Sequence, residues 1–129
     1  MRAVVAIVAV ALFVCCSGCG DTHESLAGEG VATMQEMATV MEGVKDGPSA
    51  KDAKAKLTSL MEKLNKINER QAKLPTPTEA EGKAMEAKYG KQMEESSRKF
   101  QTQMFRVMGN PAIMGELGDL DQQMAKGMK

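Results

Sequence analysis

The chain has 129 residues, which allows one domain at most. Its 43% hydrophobic content includes only 3% aromatics (one Tyr, three Phe, no Trp) against twelve Met and a single His. Lys+Arg and Asp+Glu both number 17, so no net charge draws the chain to nucleic acid or acidic substrates. So few aromatics also argue against a base- or sugar-stacking site. One imidazole leaves little for His-based catalysis.

The chain opens MRAVVAIVAVALFVCCSGCG. Arg2 gives a positive start, residues 3–14 an unbroken apolar run, and Ser17 and Gly18 small residues after it. That is the layout of a secretory signal over 1–18, too short for the roughly 20 apolar residues of a spanning helix. Cys16-Ser17-Gly18-Cys19 resembles the lipobox of bacterial lipoproteins, where small residues precede a cysteine that is lipidated after cleavage. The match departs at Cys16, where that family usually carries Leu; Cys15 and Cys16 fit worse as lipid sites. The resemblance covers residues 1–19 only, and the mature region resembles no named family. It implies lipidation of Cys19, export, and a membrane-anchored place in the bacterial cell envelope. Gly20 after the cysteine implies the outer membrane, facing the periplasm. On this reading Cys15 and Cys16 leave with the signal and Cys19 is blocked, so no disulfide is available.

Residues 19–25 read as the lipidated Cys and a polar tether (DTHES over 21–25), spanning only about 20 Å when extended. The domain proper is 26–129. Over 26–45, Val31, Met34, Met37, Met41 and Val44 recur at helical spacing, and Asp46-Gly47-Pro48 stops the run. The next helix is predicted over 49–74, with Ser49 and Asp52 as a capping box and Ala53, Leu57, Leu60, Leu64 and Ile67 as its stripe. A third is predicted over 77–108, capped by Thr76 and carrying Met85, Tyr89, Met93, Phe100, Met104, Val107 and Met108 towards one side, with Ser96 and Ser97 as interruptions. Asn110 and Pro111 then open a last segment over 111–126 with Ile113, Leu117, Leu120 and Met124. No strand candidate appears. The fold class is all-α: a small helical bundle with a central antiparallel helical hairpin of the two longer helices, flanked by shorter ones.

The charge is balanced globally, not locally. Residues 24–46 carry five acids and one Lys, whereas 49–74 carry seven bases and three acids. Complementary faces of neighbouring antiparallel helices explain this most simply. A basic helix lying on anionic lipid is the sharper alternative.

Catalytic constellations are not found in the sequence. His23 lies in the tether, close to the cysteine, where a base holds no fixed geometry. Glu94 and Glu95 are adjacent and diverge around a helix. Gly28-Glu29-Gly30 lacks the strand and the Lys-Ser/Thr of a phosphate loop. The unusual feature is methionine: Met34, Met37 and Met41 share a helical face, and Met104 and Met108 form another pair. Thioethers suit Cu(I) or Ag(I), yet the same spacing is what a buried stripe requires, and Met fills cores that lack aromatics. The expectation is therefore a non-enzymatic envelope lipoprotein with no cofactor, catalytic residue, nucleic-acid partner or small-molecule substrate. It would meet the membrane through Cys19 and a protein partner, or a second copy, through Met34, Met37, Met41, Met104 and Met108. A Met-rich Cu(I)/Ag(I) carrier using Met34, Met37 and Met41 is the alternative.

Overall fold

The computed structural model describes residues 20–118, 120 and 122. The signal pattern, Cys19 and Met124 lie outside the described residues. Those described form four helices and no strand: α1 (His23–Glu42), α2 (Gly47–Ala72), α3 (Glu79–Met108) and α4 (Pro111–Leu117). The chain is a small all-α bundle, as its helical spacing predicts.

Each helix starts where a short polar side chain can take up its first free amides. At α1 the Thr22 hydroxyl accepts from Ser25 N at 3.1 Å, and Ser25 Oγ accepts from Thr22 N at 3.0 Å. This reciprocal pair starts the helix inside the predicted tether, so 21–25 is not a free polar spacer. At α2 the cap is Asp46, which accepts from Ser49 N at 2.9 Å, in place of the expected Ser49 and Asp52. Gly47 and Pro48 therefore open α2 instead of separating it from α1. Proline suits a first turn, where its missing N–H has no intrahelical partner to lose. Thr78, not Thr76, caps α3, accepting from Glu81 N at 3.3 Å. Asn110 caps α4 as expected, its Oδ1 accepting from Ala112 N at 3.1 Å. That helix closes early, at Gly118, whose φ of 55° is a left-handed conformation suited to glycine. The predicted extension to 126 is thus interrupted, although Leu120 beyond the turn is buried.

The packing order differs from the predicted central hairpin. Helix α1 lies between α2 and α3, which scarcely contact each other, and α4 folds back over α2. Helix α1 runs antiparallel to α2 and parallel to α3. Its start meets Lys88 through Glu24, and its end meets Arg106 through Met41. Its sequence suits a central place because it buries two lines of residues. Leu26, Gly30, Thr33, Met37 and Met41 make one line. Val31 and Ala38 make the other, one residue step (about 100°) round the helix.

The core gathers at the far end from residue 20. Met37, Met41 and Val44 join Ala53 and Leu57 of α2, Val107 of α3, and Ile113 and Leu117 of α4. Among the described residues, the two buried hydroxyls are satisfied within their own helices. Thr33 Oγ1 donates to Glu29 O at 2.7 Å, and Ser96 Oγ donates to Gln92 O at 2.6 Å. The Ser96 interruption in the α3 stripe is therefore part of the buried face. No helix among the described residues is long and apolar enough to cross a membrane.

Candidate functional site

The richest polar cluster stands at the start of α1, immediately after the cysteine. The α2 guanidinium of Arg70 is forked twice. Its Nε donates to Asp21 Oδ2 at 2.9 Å, and Nη2 also pairs with Asp21 Oδ1. Nη1 donates to Glu29 Oε2 at 2.8 Å and Nη2 to Glu29 Oε1 at 3.2 Å. A planar fork fits two carboxylates in this way and a lysine cannot. The hydrogen bond from Arg70 holds the Asp21 carboxyl below its ordinary range. The two carboxylates, Asp21 foremost, hold the guanidinium proton still more firmly.

Two further ties complete the cluster. Lys88 of α3 pairs with Glu24, which pushes the lysine pKa up, and its ammonium stands 5.3 Å from the centroid of the Tyr89 ring. Tyr89 lies against Gly28, where a Cβ would come within 3.0 Å of the phenolic oxygen. His23 Nε2 is 2.6 Å from Pro75 O in the α2–α3 turn. A carbonyl only accepts, so Nε2 carries the proton. Nδ1 is buried and has no hydrogen-bond partner among the described residues.

Thr22, His23, Glu24, Glu81, Met85 and Lys88 line a cleft of about 330 Å³ here. The backbone N–H of Thr78 holds the Glu81 carboxyl below its usual range, so this acid is committed to a helix cap. Glu24 and Lys88 are likewise committed to one another. The cluster binds chain to chain: it fixes the residues after Cys19 to α2, to α3 and to the turn between them. Among the described residues, no group of three or more His, Cys, Asp or Glu is gathered to hold a metal ion.

The methionines sit elsewhere, and the predicted interaction face needs correction. Met37 and Met41 are buried in the core, while Met34 and Met104 are partly buried against it. Their thioethers are used in packing, because the gaps between α1, α2 and α3 have few aromatics to fill them. Of the five, Met108 alone is exposed, at 58%. Its exposed neighbour is Phe105, at 75%, three residues earlier on α3. Sequence reasoning missed Phe105 as a surface residue, although it falls off the Phe100, Met104 and Val107 stripe. Reasoning from sequence also missed Arg70, whose two acids lie 49 and 41 residues away. Compared with protein-family models, curated proteins and solved structures, the chain matches none.

Proposed function

We propose that this chain is a non-enzymatic envelope lipoprotein, held by a lipid on Cys19 and offering its bundle for structural or protein–protein contact. One observation carries the reading. Gly20 alone separates Cys19 from Asp21, and Asp21 is forked onto Arg70. A lipid at Cys19 would therefore hold a folded domain by a stiff attachment and not by a loose leash. The exposed Phe105 and Met108 lie at the other end, about 25 Å further along α1 and clear of the membrane.

Mass spectrometry of the N-terminus, with palmitate labelling of cells expressing the full chain or Cys19→Ala, tests the anchor. The expected result is acylated Cys19 in the membrane fraction and no label in the variant. A soluble product with an unmodified cysteine refutes the reading.

A further inference from the structure

Along one face of α1 and α2 runs an open groove of about 760 Å³. Ala32 and Val40 from α1 and Ala55 and Leu60 from α2 supply its apolar lining. Glu36 stands on one rim and Lys56 on the other. Both are exposed, and neither makes an ion pair within the described residues. The imbalance extends along both helices: α1 carries four acids and no Lys or Arg, whereas α2 carries six bases and three acids. Among the described residues, only Arg70 forms an ion pair between the two charge sets.

We infer that a second copy of this chain binds in this groove, related by a two-fold axis running along it. The charges select both the occupant and the axis. Such an axis lays the acidic α1 of each copy over the basic α2 of the other, bringing Glu36 opposite the second copy's lysine at position 56, twice. An axis across the groove would instead set the acidic α1 against α1 and the basic α2 against α2, opposing like charges. Twenty residues of α1 give a length of about 30 Å, and two helices side by side a width of about 20 Å. That footprint buries about 600 Å² per copy, the low end for a specific complex, so the dimer is weak. The small lining residues let the second pair of helices approach closely. The favoured axis also places both residue-20 ends at the same end of the dimer. Two lipid-anchored copies could then share one bilayer; this last point alone rests on the proposed anchoring.

The test is sedimentation equilibrium of the full chain in non-ionic detergent at about 100 µM, well above the dissociation constant of a micromolar complex. Wild type is expected to be a dimer. Glu36→Lys and Lys56→Glu should each weaken it at least about ten-fold, since each opposes like charges at both contacts. An equal mixture of the two variants should dimerise again, because both contacts then pair Lys with Glu. Circular dichroism checks that each variant stays helical. Glu36→Gln and Lys56→Gln replace any reversal that does not, and must also loosen the dimer. A monomeric wild type, variants as tightly associated as wild type, or an unrestored mixture overturns the inference. An unlipidated dimer would refute the anchor and not the groove; a lipidated monomer would do the reverse.

Discussion

Arg106 and Met41 are joined across the bundle: the arginine Nη2 donates to the methionine main-chain oxygen at 2.9 Å. That oxygen belongs to the last turn of α1, where carbonyls lack intrahelical partners and carry the negative end of the helix dipole. Val44 N also reaches it, at 3.2 Å, but α1 has no basic residue of its own in that turn. Arg106→Leu should therefore destabilise the fold by about 1.5–3 kcal/mol, the range for a hydrogen bond involving a charged group. Thermal or urea unfolding measures this, and an unchanged midpoint would mean the bond contributes nothing.

Acid should destabilise the protein through three identifiable carboxyls. Asp21, Asp46 and Glu81 are all held below their ordinary range, by Arg70, by Ser49 and by Thr78 respectively. A group whose folded pKa is lowered adds stability that is complete above its unfolded value. It is lost as pH falls through the folded value. The melting temperature should thus be nearly level from about pH 7 to 5 and fall below about pH 4. Arg70→Met removes the main cause at Asp21, so its acid limb should be shallower than wild type.

The core methionines should respond by burial and not by chemistry. Met41→Ala, at a fully buried position, should cost about 2–5 kcal/mol. Met37→Leu conserves volume and should cost less than about 1.5 kcal/mol. Met108→Ser, on the surface, should stay within about 0.5 kcal/mol. Denaturant melts of the three variants decide this; equal losses would contradict the placement of the core.

Two glycines of α1 should behave differently on replacement by alanine. A Cβ at Gly30 meets nothing within 4 Å, so Gly30→Ala should stabilise by about 0.5–1 kcal/mol through helix propensity and a stiffer unfolded chain. At Gly28 the Tyr89 hydroxyl must shift, so Gly28→Ala should gain less than Gly30→Ala or lose stability. Their relative melting temperatures give the answer. A larger gain at position 28 would show that the Tyr89 contact is not held.

What the sequence made legible was local. Helical spacing located all four helices, and the Met34, Met37 and Met41 stripe faces the core as periodicity suggests. The boundaries slipped where two capping residues competed, as with Asp46 and Ser49, or where a cap lay among purely polar residues, as with Thr22. Periodicity says which face of a helix is buried, but not which helix covers it. The partner of Arg70 therefore could not be read from spacing, nor could the central position of α1. The clue to that position was its second buried line, Val31 and Ala38, which is short and made of small residues.

The sandwiching of α1 has a consequence for the order in which the protein becomes structured. Twenty residues with two internal glycines hold little helix alone. The polar contacts that secure α1 come from Arg70 and Lys88 near its start and from Arg106 at its end, the last 65 residues later in the chain. A nascent or translocating chain therefore packs α1 against α2 first and leaves its second flank uncovered until α3 has emerged. In that interval residues 23–42 are covered on one side only and are the part of the bundle most open to proteolysis.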